Sequence, residues 1–320
     1  MAGEQGQGNG ARSPRRRIVV GVDRSPGSRR ALRHAVAEAL RRGADVEVIA
    51  TFSAALPWTS GSLVPDPERL HRETLARTED FVAAVGAELA TVPAITVDVV
   101  EGPAADVLLQ RAAGAELLVV GRHGHGAVRT ALIGSVALRC LGHAAGPVEV
   151  VPLEDAAAPT GAVPRVVVGV DGSPESRAAL ATAVQEAGRL GAEVDVVAVC
   201  EGSGEWNDLA TTVVPSYAGV RADVQRGAAA MVEAVLAGVE RPVRARIDVV
   251  DGSPSDVLVE RARGAALLVL GNHGRSGLGG RFLGSVALRC AVAAPCPVLL
   301  VPARERAPQE GRAAHPVDAA

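Results

Sequence analysis

The chain has 320 residues, 48% apolar but only 2% aromatic, with 33 basic residues against 36 acidic ones and a net charge of −3. At about 150 residues per domain this length suggests two domains. The near-neutral balance and scarce aromatic rings remove both the basic footprint and the stacking platforms of a nucleic-acid binder. Every basic residue is arginine, so a Walker-type phosphate loop and Schiff-base chemistry, which need lysine, are excluded by inventory.

The opening segment, MAGEQGQGNGARSPRRR, is polar and holds no apolar stretch of the kind a signal sequence uses. Residues 1–15 read as a disordered tail, with Arg15, Arg16 and Arg17 solvated where it joins the first strand. No apolar run approaches the roughly 20 residues of a membrane helix. A cytoplasmic protein with no membrane partner is expected. Cys140, Cys200, Cys290 and Cys296 form no C-x-x-C pair and lack histidine partners at metal-ligand spacing, so they read as small buried residues.

Self-comparison reveals a duplication. RRIVVGVDRSPGSRRAL (16–32) returns as PRVVVGVDGSPESRAAL (164–180), and LIGSVALRC (132–140) returns as FLGSVALRC (282–290). Between them, VVEGPAADVLLQRAAGAELLVVGRHG (99–124) returns as VVDGSPSDVLVERARGAALLVLGNHG (249–274). The predicted domains are residues 16–152 and 164–302, joined by an Ala/Pro-rich linker over 153–163 and followed by a second disordered tail over 303–320.

In the second half, RVVVGV (165–170) predicts an apolar strand. Ser173 then caps a helix that has Pro174 at its first position and Gly191 just past its end. EVDVVAV (193–199) is the next strand, followed by a polar stretch and a helix near 219–239. VRARIDVV (243–250), a helix over 254–264 and a strand over 266–270 come next. The glycine stretch, a helix over 283–294 and PVLLV (297–301) complete it. Each half thus predicts a five-stranded parallel sheet flanked by four helices, an α/β fold covered on both faces.

Ligands of such sheets sit beyond the carboxyl ends of the strands, where strand order reverses. In each half the first strand ends in GVD and the fourth in a glycine loop, which implies that these two strands lie side by side. The loop follows G-x2-G-x9-G-S: Gly121, Gly124, Gly134 and Ser135, then Gly271, Gly274, Gly284 and Ser285. The first glycines let a turn leave the strand with its N–H groups facing an open cavity. The last glycine and the serine open a helix whose first N–H groups and dipole favour an anion. Nine intervening residues could span about 30 Å if extended, so they must fold back as a cradle, and a phosphate fits. Charge would come from backbone N–H groups, a bound Mg²⁺ and Arg275, whose counterpart is His125.

Asp23 and Asp171 end the first strands; they either build the turn before the helix cap or bond a ribose or base edge. His123 and His273 fit loop packing better than catalysis. His34, His71 and His143 read as ordinary helix residues.

These residues resemble the universal stress protein family in its tandem, ATP-binding form, over residues 17–152 and 164–302. The likeness rests on VVGVD-x-SP, the glycine signature and the closing PCPVLLVP. It implies two Rossmann-like domains with strand order 3-2-1-4-5 and ATP bound across the first and fourth strands. It also implies a last strand that pairs domains or subunits. Carried onto matching positions, it assigns Val170 and Asp171 to adenine and ribose and Val199 to adenine through its backbone. Gly271, Gly274, Gly284, Ser285 and Val286 would hold phosphates and ribose. The first-half counterparts are Val22, Asp23, Thr51, Gly121, Gly124, Gly134, Ser135 and Val136.

The halves differ: Arg24 replaces Gly172, Thr51 replaces Val199, and Glu149 enters the last strand. A buried unpaired carboxylate is costly, so that edge is expected to be solvated or paired with an arginine. The second site is expected to be the more typical. The expected function is an ATP-binding, nucleotide-dependent regulatory switch with an unidentified protein partner and, at most, slow hydrolysis. A true ATPase or phosphotransferase and a structural dimerising module with empty sites are the alternatives. A dehydrogenase would need G-x-G-x-x-G directly after the first strand, where GVDRSPGS and GVDGSPES stand instead.

Overall fold

The computed structural model describes residues 16–53, 66–124, 132–154, 161–201, 217–239, 242–274 and 283–302. The two predicted tails, most of the linker, His125 and Arg275 lie outside the described residues.

The first repeat runs β1 (Arg17–Gly21), α1 (Pro26–Arg42), β2 (Asp45–Phe52), α2 (Pro67–Gly86) and β3 (Ile95–Glu101). It continues through α3 (Ala104–Ala112), β4 (Leu117–Gly121), α4 (Ser135–His143) and β5 (Val148–Val151). The second follows with β6 (Arg165–Val170), α5 (Pro174–Leu190), β7 (Glu193–Cys200), α6 (Tyr217–Leu236) and β8 (Ala245–Asp251). It closes with α7 (Pro254–Arg261), β9 (Leu267–Gly271), α8 (Ser285–Ala293) and β10 (Val298–Val301).

Local chemistry sets the helix limits. Ser25 and Ser173 accept from the N–H groups of Ser28 and Ser176, Pro26 and Pro174 open the helices, and Gly43 and Gly191 close them in the left-handed conformation. A serine cap satisfies a donor that the helix cannot, and a proline at the first position loses no helical hydrogen bond. The predicted helices over 254–264 and 283–294 end earlier, at Arg261 and Ala293. Arg17 is no tail residue: it begins β1, and its guanidinium donates to the carbonyls of Arg111 (2.9 Å) and Ala113 (3.0 Å).

All ten strands form one sheet, ordered β3-β2-β1-β4-β5-β10-β9-β6-β7-β8. Each half has the 3-2-1-4-5 order, and β1 lies beside β4 (Ile18 opposite Leu117) as β6 lies beside β9 (Val166 opposite Leu267). Pairing is parallel within each repeat. The repeats join through one antiparallel contact, in which Val298, Leu299 and Leu300 face Val150, Glu149 and Val148. The last strands are therefore already paired on both sides within a single chain.

Alternation along the strands divides the core into two layers. Ile18 and Val20 face one layer with Ala31, Leu32 and Ala35 of α1; Val19 faces the other with Leu108 of α3 and Cys140 of α4. Each fully buried branched side chain contributes roughly 1.5–3 kcal/mol relative to exposure. The four cysteines are free and buried as expected, and burial pushes the thiols of Cys140, Cys290 and Cys296 up to about 12. Among the described residues no helix is long and apolar enough to cross a membrane.

Glu149 departs from its expected setting. It is not solvated but 1% exposed, and among the described residues its ion-pair partner is His34, whose Nε2 lies 2.9 Å away, in place of an arginine. The antiparallel junction places it mid-sheet, under α1, where His34 is the polar group in reach. His34 is thus no ordinary helix residue.

Candidate functional site

The reversal of strand order between β1 and β4 leaves a crevice beyond their carboxyl ends, as parallel sheets of this order do. In the first repeat the crevice is a cavity of about 620 Å³. Val22, Asp23, Thr51, Gly121, Gly124, Gly134, Ser135 and Val136 all line it, so the fold gathers all eight expected first-repeat residues around one space. Gly134 lies back against the end of β4, where its N–H donates to the Arg122 carbonyl at 2.8 Å. The Gly134 amide is consumed in that closure and faces no ligand. The free donors come next. Gly134 is the N-cap of α4 and has no side chain to cap it, which leaves the first-turn N–H groups without a side-chain partner, and Ser135, Val136 and Ala137 of that turn line the cavity.

Asp23 stands at both the turn and the cavity. Its Oδ1 accepts from the Ser25 N–H at 2.9 Å, building the turn into α1, and its carboxylate lines the cavity. A Cβ on Gly124 would collide with Oδ2 of Asp23, so a larger residue there would displace that carboxylate. Arg24 also lines the cavity, and it is the one non-glycine residue with positive φ (67°) among the described residues.

The second repeat reproduces this frame with different side chains. Val170 ends β6 and Asp171 follows it, Val199 lies near the end of β7, and Gly271 ends β9. Asp171 Oδ1 accepts from the N–H of Ser173 (3.0 Å) and from its hydroxyl (2.6 Å). A Cβ on Gly274 would come within 2.8 Å of Asp171 Oδ2, and the Gly284 N–H donates to the Asn272 carbonyl at 2.9 Å. Ser285 and Val286 open α8, again without a side-chain cap. The local contrast lies against the fourth strand. Gly121 abuts Gly27, whereas Gly271 abuts Glu175, whose Cβ lies 2.7 Å from where a Gly271 Cβ would stand. The first site therefore carries Arg24 and Gly27 where the second carries Gly172 and Glu175.

His123 lines the first cavity. His273 is its counterpart, and its Nε2 is buried with no partner among the described residues. Sequence reasoning missed Thr74 and Thr78 of α2 and Ala104 and Leu108 of α3, which close the other walls of the first cavity. Spacing gave a signal: Thr74 and Thr78 are four apart on one helix face, where the second repeat has Val224 and Ala228.

A tandem pair of doubly wound α/β units, each with a glycine-bounded, amide-lined crevice at its strand reversal, is the class this geometry defines. The chain belongs to the universal stress protein family, whose profile matches residues 14–152 and 163–302. It is 32% identical over 291 residues to a universal stress protein of Mycolicibacterium smegmatis, covering 89% of this chain and 96% of that protein. It is 31% identical over 314 residues to one of Mycobacterium tuberculosis, covering 92% and 96% respectively. The crystal structure of a universal stress protein from Archaeoglobus fulgidus superposes with a TM-score of 0.62 at 18% identity, covering 90% of this chain and 98% of that one. That likeness concerns the fold.

Proposed function

We propose that this protein binds an adenine nucleotide, ATP with Mg²⁺, and that occupancy of the site regulates it. The carrying observation is the uncapped start of α4, which lines the same glycine-bounded cavity as Asp23. Amides converging at a helix start favour phosphate, and a carboxylate beyond them suits ribose hydroxyls. A cavity of about 620 Å³ lies within the range of small-molecule and cofactor sites, roughly 300–1,000 Å³.

The first repeat is the better anion site, in place of the second one favoured by sequence reasoning. Arg24 adds positive charge there, while the second has an acidic residue, Glu175, with its Cβ against Gly271. Among the described residues lining the first cavity, Asp23 is the one carboxylate, which gives Mg²⁺ at most one side-chain ligand. Phosphate oxygens and water would supply the remaining ligands, as Mg²⁺ commonly accepts.

Regulation fits these residues better than rapid turnover does. Asp23, the carboxylate lining the first cavity, is engaged by the Ser25 N–H in building the turn. Occupancy would alter the surface around the start of α4, and with it the protein partner accepted.

Acid extraction of the purified chain followed by chromatography, then calorimetric titration with ATP·Mg²⁺, tests this reading. Bound nucleotide, or ATP affinity lost by about tenfold or more in Gly134→Glu, is expected: the new carboxylate would sit among the anion-binding amides. Unchanged affinity in that variant counts against the site. Turnover above about 1 s⁻¹, the lower end for dedicated kinases, would move the reading to an enzyme.

A further inference from the structure

The first cavity is chemically different at its two ends. Glycines and the α4 amides close it on the β4 side. On the β2 side it is closed by Thr51 of β2 and by Thr74 and Thr78 of α2, the helix that follows β2 and packs on β2 and β3. The repeat alignment puts Val199, Val224 and Ala228 at these three positions of the second half. All three hydroxyls of that wall are thus replaced by hydrocarbon.

The hydrogen bonding of one threonine gives this wall a direction. Thr78 is 1% exposed, and its Oγ1 donates to the Thr74 carbonyl at 2.7 Å. With that proton committed, the Thr78 oxygen presents only lone pairs to anything else it meets. Thr51 and Thr74 have rotatable hydroxyls that can donate or accept. A base edge that reaches Thr78 meets a fixed acceptor, which an exocyclic amino group satisfies and an exocyclic carbonyl does not.

We propose that Thr51, Thr74 and Thr78 form a base-selecting wall unique to the first repeat, so that the two sites differ in ligand preference. The first site prefers a purine with a 6-amino group over one with a 6-oxo group, while the second has no side-chain basis for that choice. This rests on the nucleotide reading above and deepens it. A site whose buried polar groups a ligand must satisfy discriminates more sharply than an apolar one, which tolerates isosteres.

The test uses the full chain with the second site closed by Gly284→Glu, titrated calorimetrically with ATP and with ITP, which differ at position 6. ATP is expected to bind more tightly, and Thr74→Val/Thr78→Ala is expected to shrink the ATP-to-ITP ratio roughly three- to tenfold, the worth of about one hydrogen bond. Thr78→Ser keeps the oxygen and should keep the ratio, which separates lost bonding from lost folding. In the reciprocal chain, with Gly134→Glu closing the first site, Val224→Thr/Ala228→Thr should raise the ratio. If both nucleotides bind and the ratio ignores the threonines, the wall has no selecting role and the nucleotide reading stands. If neither nucleotide binds the parent chain, the nucleotide reading falls and this inference with it.

Discussion

At the residue scale, the polar group that matters most to the architecture is His34. Its ring reaches Glu149 at 2.9 Å and Glu38 at 3.9 Å, and Glu38 is also held by Arg41 and by Arg42 (3.0 Å). Arg42 continues to Glu116 (3.2 Å) and Glu186 (2.9 Å), while Arg189 meets Glu186 (2.6 Å) and Glu116 (3.5 Å). Four carboxylates thus face three guanidinium groups, and a protonated His34 closes the balance. Burial opposes charge on His34, but the adjacent Glu149 and Glu38 outweigh it and hold the imidazole above its ordinary value. The stabilisation this provides is complete below the unfolded value of about 6.5 and is lost as pH rises through the folded one. Glu38 shifts the other way: burial would raise it, yet Arg41, His34 and Arg42 together hold it low, so its contribution is lost only toward acid. Melting temperature measured from pH 6 to 9 should fall in the parent chain and vary much less in His34→Gln. Parallel profiles would show that the imidazole does not titrate in this window.

At the element scale, helix starts divide by task. The helices α1 and α5, which follow the first strand of each repeat, begin with a serine cap, whereas α4 and α8, which follow the glycine loops, begin at glycines with none. A cap satisfies the amides that an anion would otherwise engage, so the two designs exclude each other at one helix start. Ser173 has two duties, accepting from the Ser176 N–H at 3.1 Å and donating to Asp171 at 2.6 Å. Ser173→Ala should cost about 1 kcal/mol of stability, measured by thermal or denaturant unfolding. A neutral result would mean that the Pro174 start holds α5 unaided. The same contrast explains how much of the site was legible. Gly134, Ser135 and Asp23 were found because strand end, turn and helix start are neighbours in the chain. Thr74 and Thr78 were missed because α2 reaches the cavity only by packing on β2 and β3, contacts no local pattern encodes.

At the scale of the whole molecule, the ten-stranded sheet is one object because β5 and β10 pair antiparallel at its centre. Glu149 lies opposite Leu299 in that pair, and both are 1% exposed. Leu299→Glu would bury a second carboxylate there without a partner of its own, at a cost on the order of 3–5 kcal/mol. Calorimetry should then show the two repeats melting separately or a markedly lowered transition, while Leu299→Val should stay within about 1.5 kcal/mol of the parent. A single unchanged transition in the glutamate variant would mean that the junction does not couple the repeats.

The duplication, the strand–helix alternation, the caps and the glycine signature were all determined by sequence alone, because each depends on residues close together along the chain. Even the neighbourhood of β1 and β4 could be inferred, since both end in ligand-type turns. Tertiary structure alone decided that the last strands pair with each other within one chain, that Glu149 is buried against His34, and which side chains wall the cavity beyond β2. Those outcomes depend on contacts between segments as far apart as Glu149 and Leu299. A carboxylate reads as a surface residue until a paired strand on each side and a helix above remove its water.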